Sequence, residues 1–152
     1  MSIGSPFGIV FAYTQGLVPG SDNKKKGIIV AGILWFVLFL IPALEYPANP
    51  PGVGDPETIY YRQILYPVFL AISGFSVLGL AFMYRNKGAR HTKNTIIIPA
   101  LYAAIMSVAY VGMPANPDPI NAPMDLVISF RIMSAIAISA FWGLLGVIFG
   151  AF

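Results

Sequence analysis

Residues 47–58 read PANPPGVGDPET, and this stretch separates two strongly apolar runs, 27–44 and 64–84. Its four prolines and two glycines exclude a helix or a central strand, because proline lacks the backbone N–H that both structures use. Each proline also fixes its own φ and restricts the residue before it. The stretch is therefore predicted to be a stiff, ordered loop at one surface of a membrane.

The composition predicts the class of protein around this loop. Of the 152 residues, 57% are hydrophobic and 10% are charged, whereas a soluble domain carries about 25% charged residues. Several apolar runs approach the ~20 residues that cross a ~30 Å hydrocarbon core. We therefore predict an all-α fold, a polytopic transmembrane helix bundle in one integral membrane domain, 1–152. With no cysteine in the chain, disulfides, thiolate metal sites and iron–sulfur clusters are excluded.

The order of the apolar runs predicts four strong spans, of which the last is the C-terminal helix. These spans are 27–44, 64–84, 95–113 and 126–150. Residues 6–18 are apolar but short, and they form either a fifth span or a half-helix that lies against partners. No cleavable signal peptide is predicted, because the basic residues follow this segment instead of preceding it. Small residues between 134 and 143 predict a helix face that packs closely on another helix.

The distribution of charge predicts the orientation in the cell membrane. Seven of the nine basic residues lie in two connections, 24–26 and 85–93, which share one side of the predicted bundle. The positive-inside rule makes that side cytoplasmic, together with the C-terminus. Two proline-rich loops, 45–61 and 114–125, then face outward.

Outer-loop oxygen atoms are the candidate metal ligands. Asp55 and Glu57 lie two residues apart in the first loop, and Asn49 and Asp118 add further oxygens. Such ligands suit a hard or borderline divalent cation. The alternative interpretation makes them solvated loop charges, with Glu57 favouring the start of the next helix. The only histidine, His91, lies in a basic connection, which is a poor place to bind a cation.

Two arginines, Arg62 and Arg131, stand at the outer ends of spans. A charge at that depth needs water or a partner, so each is predicted to form a structural ion pair or to anchor its helix at the interface. The candidate partners are the carboxylates of Asp55, Glu57 and Asp125.

A short repeat connects the two outer loops. The sequence Pro-Ala-Asn-Pro occurs at 47–50 and again at 114–117, and each copy leads to an aromatic–Arg pair. Duplication and plain interfacial-loop chemistry explain it equally well.

The motif around the first loop resembles a known family. Residues 42–59 (PALEYPANPPGVGDPETI), followed by Tyr61-Arg62 and Leu65-Tyr66, resemble the signature of CbtA-type membrane proteins, the cobalt transporter subunits. Residues 119–121 (PIN), 130–131 (FR) and 142–150 (WGLLGVIFG) resemble that family's last loop and helix. Compared with that family, we expect the usual first helix to be missing here, and Ala122 and Ile138 stand where polar residues are usual.

The resemblance implies an integral membrane subunit for cobalt uptake in cobalamin synthesis, acting with a CbtB-type partner that usually supplies histidines. Asp55, Glu57 and Asp118 would then collect a divalent cation such as Co²⁺, and the helix bundle would conduct it together with the partner. A rival interpretation is a non-catalytic structural subunit of a larger membrane complex, such as a membrane oxidase or monooxygenase. No nucleotide loop, catalytic triad or two-histidine helical motif is present, so an enzyme is not expected. The expected partners are the lipid bilayer and other membrane subunits, not nucleic acid.

Overall fold

The computed structural model describes residues 4–14, 18, 22–87, 92–116 and 120–151. Within these ranges the fold is all-helical and contains no strand, which confirms the predicted class. The α-helices are α1 (Gly4–Thr14), α2 (Asn23–Trp35), α3 (Ile41–Glu45), α4 (Ile59–Lys87), α5 (Thr92–Gly112) and α6 (Met124–Gly150). A π turn, Phe36–Leu40, joins α2 to α3, and a 3₁₀ turn, Pro56–Thr58, leads into α4.

Three of the predicted spans are helices long and apolar enough to cross a membrane. They are Asn23–Glu45, Pro56–Tyr84 and Met124–Gly150. The remaining strong span, predicted at 95–113, forms a helix whose apolar part, Ile96–Gly112, is shorter. Its role as a fourth span stays a prediction.

The N-terminal segment forms a short helix. With 11 residues, α1 is about 16 Å long, roughly half the thickness of a hydrocarbon core. Residues 15–17 of the predicted segment 6–18 lie outside the described ranges. The candidate fifth span therefore stays a prediction.

The second helix begins inside the basic run. The Oδ1 atom of Asp22 accepts a hydrogen bond from the backbone N–H of Lys24 at 3.0 Å, which caps the first turn of α2. The lysines at 24–26 therefore belong to the helix and not to a loop before it. The other basic connection is described only in part, because residues 88–91, with His91, lie outside the described ranges.

The chain divides into two compact units: Met1–Phe36 with Ile132–Phe152, and Val37–Arg131. In the first unit, glycines bring α2 and α6 into backbone contact. A Cβ atom added at Gly27 would lie 2.9 Å from the Cα of Gly150, and one added at Gly146 would lie 2.8 Å from the Cβ of Ala31. This close approach lies further along α6 than the small residues at 134–143 that the sequence analysis singled out.

The second unit has a buried apolar core between α4 and α5, built around Phe69, Leu80 and Met106. Val37, from the π turn, and Tyr102, from α5, complete this core. The two proline-rich loops adjoin the helices of the same unit. Tyr46, in the first loop, and Met113, directly before the second, pack against this core.

Candidate functional site

The first proline-rich loop has a conformation dictated by its glycines and prolines. Gly52 and Gly54 adopt φ values of 86° and 99°, a left-handed region that residues with a Cβ rarely enter. Asp55 then caps the 3₁₀ turn, since its Oδ1 accepts the N–H of Glu57 at 2.9 Å. Pro56 occupies the first position of that turn, where its missing N–H costs nothing. The loop therefore leads into α4 by a fixed path, as its proline content predicts.

Arg62 folds back from the first turns of α4 over this loop. Its Nη1 donates to the carbonyl oxygen of Val53 at 3.1 Å, and its Nη2 donates to that of Asp55 at 3.0 Å. Its Nε donates to the Oγ1 of Thr58 at 3.2 Å. The rigid guanidinium fork thus holds three points of the loop at once. The ion pair predicted for Arg62 stays a prediction.

Arg131, from α6, binds an earlier part of the same loop. Its Nε donates to the carbonyl oxygen of Ala48 at 3.2 Å, and its Nη2 donates to the Oδ1 of Asn49 at 2.8 Å. The arginine that follows the second Pro-Ala-Asn-Pro copy therefore holds the first copy. Its predicted pairing with Asp125, an exposed residue at the start of α6, stays a prediction.

Tyr46 connects the two proline-rich loops directly. Its hydroxyl donates to the carbonyl oxygen of Pro114 at 2.6 Å. Burial raises the pKa of Tyr46, and the nearby Glu45 and Tyr61 raise it further. Because only the protonated phenol donates, this hydrogen bond is present at neutral pH and is lost only as the pH rises through the raised pKa.

The predicted metal ligands have unequal surroundings. The side chains of Asp55 and Glu57 are exposed at the rim of the loop. The oxygen of Asn49 lies against the guanidinium of Arg131, whose charge opposes a divalent cation at that atom. Asp118 lies outside the described ranges. Among the described residues, no three His, Cys, Asp or Glu side chains are grouped so that they could share a metal ion.

A buried polar chain, which the sequence analysis missed, lies in the core of the second unit. Ser73 is 0% exposed, and its Oγ donates to the carbonyl oxygen of Val37 at 2.6 Å. The Oη of Tyr102 lies 2.8 Å from the same Oγ. A carbonyl only accepts, so the single proton of Ser73 goes to Val37 and Tyr102 donates to Ser73. This series of hydrogen bonds ends at the carbonyl of Val37, which has no proton to donate, so it cannot pass a proton onward.

The local sequence carries one signal of this buried chain, which is Pro42. It lies in α3, directly after the π turn, and it is itself buried. A proline inside a helix removes a backbone donor, and another group must then satisfy the carbonyl that is left over. Which group does so depends on tertiary packing, because Ser73 is 36 residues away from Val37.

Comparison with known proteins places the chain in a family. No curated protein and no solved structure matches it. A family model described as "Probable cobalt transporter subunit (CbtA)" matches residues 1–152, the whole chain. The apolar helices that are long enough to cross a membrane agree with a transporter subunit. The chain belongs to the CbtA family of probable cobalt transporter subunits.

Proposed function

We propose that this protein is the membrane-spanning subunit of a cobalt uptake system and works with at least one further subunit. The observation that carries the proposal is the family match over the whole chain. The three long apolar helices support a place in the bilayer. The family description names a subunit, which supports a partner.

In this proposal the first proline-rich loop is the collecting surface for Co²⁺. Asp55 and Glu57 are exposed residues of this loop, and their negative charges raise the local concentration of cations. The guanidinium groups of Arg62 and Arg131 are turned onto loop oxygens, where they fix the loop. Since seven of nine basic residues lie at 24–26 and 85–93, the positive-inside rule makes those ends of the helices cytoplasmic and the loop outward-facing.

Selectivity for cobalt is assigned to the partner. Carboxylate oxygens alone discriminate weakly between Co²⁺ and the abundant Mg²⁺ or Ca²⁺. Nitrogen ligands bind later transition metals more strongly than alkaline-earth ions, and a histidine-bearing partner of the CbtB type would supply them. In this proposal, the chain collects divalent cations and its partner selects Co²⁺ over Mg²⁺ and Ca²⁺.

Cobalt accumulation in cells tests the proposal. Deleting this chain from its host is expected to lower the initial rate of Co²⁺ uptake at limiting external cobalt, and the wild-type chain is expected to restore it. The double variant Asp55→Asn/Glu57→Gln should restore it only in part, because the collecting charge is gone. Asp22→Asn is the matched control, since it removes a carboxylate at the other end of a span and keeps a capping side chain. Equal cobalt uptake with and without the chain would refute the proposal.

A structural role in a larger membrane complex is the second candidate. One observation favours it: the protein's own arginines order the first proline-rich loop, so the loop needs no metal to be rigid. Purification in a mild detergent separates the two candidates. A structural subunit of an oxidase or monooxygenase would co-purify in fixed stoichiometry with redox subunits, whereas the transporter subunit would co-purify with a small membrane partner.

A further inference from the structure

The π turn at Phe36–Leu40 ends two residues before Pro42, and the proline explains the turn. In a π turn, the carbonyl of one residue pairs with the N–H five residues later, instead of four as in an α-helix. The carbonyl of Val37 would then need an N–H from residue 42. Proline has none, so this carbonyl is left without a backbone donor.

In a regular α-helix, Pro42 would instead leave the carbonyl one residue later without a backbone donor. The carbonyl of Leu38 would then face Pro42, with no donor and with the proline ring pressed against it. The segment can therefore adopt two hydrogen-bond registers, π and α. The π register leaves the carbonyl of Val37 without a backbone donor, and the α register leaves that of Leu38. The hydroxyl of Ser73 reaches the carbonyl of Val37 at 2.6 Å, so it satisfies the π register and not the α register.

We propose that Ser73 selects the register of this helix, and that the register in turn holds the first proline-rich loop in place. A change of one residue in register rotates the following residues by about 100° and shifts them by about 1.5 Å. Tyr46 follows this segment, packs edge-on against Phe69 at a ring distance of 5.9 Å and donates to Pro114 at 2.6 Å. A rotation of that size breaks both contacts and frees the start of the loop.

Tyr102 has a positioning role in this arrangement. Tyr102 donates to the Oγ of Ser73. This bond limits rotation of the serine hydroxyl and keeps its proton directed at the carbonyl of Val37. Without the tyrosine hydroxyl, Ser73 keeps its own proton for Val37. Tyr102→Phe is therefore expected to have a smaller effect than Ser73→Ala. The inference concerns the helix and its loop and does not depend on the nature of the cargo.

A spin label on the loop tests the coupling in the purified protein, in lipid nanodiscs and without metal. The chain has no cysteine, so Ala48→Cys gives a single labelling site on an exposed side chain whose backbone Arg131 holds. We expect one immobile spectral component in this parent protein. Adding Ser73→Ala should produce a second, mobile component. Ser76→Ala is the matched control, because that hydroxyl donates to Ile72 within its own helix, and it should leave the spectrum unchanged.

Hydrogen–deuterium exchange on unlabelled protein provides the second measurement. Exchange of the amides between 37 and 46 should rise roughly tenfold in Ser73→Ala. It should rise less in Ser73→Cys, a variant of similar size with a weak donor, which covers the case that the alanine variant does not fold. Parent-like exchange in both Ser73 variants with parent-like label mobility in Ser73→Ala, or an equal increase in Ser76→Ala, would overturn the inference. Loss of cobalt uptake on its own would not, so the inference and the proposed function fail separately.

Discussion

Gly27→Ala is expected to destabilise the protein by about 1–3 kcal/mol, the usual cost of forcing extra volume into a packed contact. The new Cβ would lie 2.9 Å from the Cα and 3.0 Å from the backbone nitrogen of Gly150. Backbone atoms cannot rotate away as a side chain can, so α2 and α6 would have to separate. The free energy of unfolding in detergent micelles, measured by denaturant titration, reports this loss.

Gly32→Ala is the matched control in the same helix. A Cβ at Gly32 meets no atom within 4 Å, and alanine favours a helix over glycine by roughly 0.5–1 kcal/mol. This variant should therefore be neutral or slightly stabilised. The same contrast is expected in α6 between Gly146→Ala, which is crowded, and Gly143→Ala, which is open. Equal effects at the crowded and open glycines would contradict the close helix crossing.

Arg62→Gln is expected to release the first proline-rich loop and to lower cobalt uptake. The substitution removes the guanidinium that holds Val53, Asp55 and Thr58. Hydrogen bonds from a charged group contribute about 1.5–3 kcal/mol each when well shielded, so a partly exposed set should amount to about 2 kcal/mol of local stability. Amide exchange between residues 53 and 58, compared with that in α5, measures the release.

Arg62→Lys separates the effect of charge from that of shape. A lysine keeps the positive charge, but its single ammonium cannot reach three acceptors in a fixed fork. It should therefore behave like Arg62→Gln in the exchange measurement. Lys25→Gln removes a basic residue that is exposed on α2, and it should leave the loop unchanged. A parent-like loop in Arg62→Lys would mean that charge alone holds the loop.

The long apolar helices and the stiff first loop could be predicted from the sequence, because both depend on local composition. The apolar runs 27–44, 64–84 and 126–150 predict the helices that are long enough to span a membrane. Proline and glycine content predicts the stiff loop at 47–58. The π turn is different, because Pro42 creates an unpaired carbonyl and only tertiary packing decides that Ser73 satisfies it.

The sequence identified residues of the candidate site, but it did not predict which atoms their side chains would contact. Sequence reasoning singled out Arg62, Arg131 and Asn49, and it predicted carboxylate partners for both arginines. The hydrogen bonds described for Arg131 go to neutral oxygens, one of them 82 residues away in the chain. Carbonyl and carboxylate oxygens satisfy a guanidinium equally well in geometry, so no local pattern distinguishes them. The glycines at 27 and 146 are likewise recognisable as a pair only once α2 and α6 lie together.

Calorimetric titration of the purified protein with Co²⁺ tests most directly whether the first proline-rich loop collects cobalt. The account predicts saturable binding that Asp55→Asn and Glu57→Gln each weaken roughly tenfold, or by ~1.4 kcal/mol. Asp22→Asn should bind as the intact protein does. No saturable binding to the intact protein, or binding that neither loop substitution weakens, would contradict the claim.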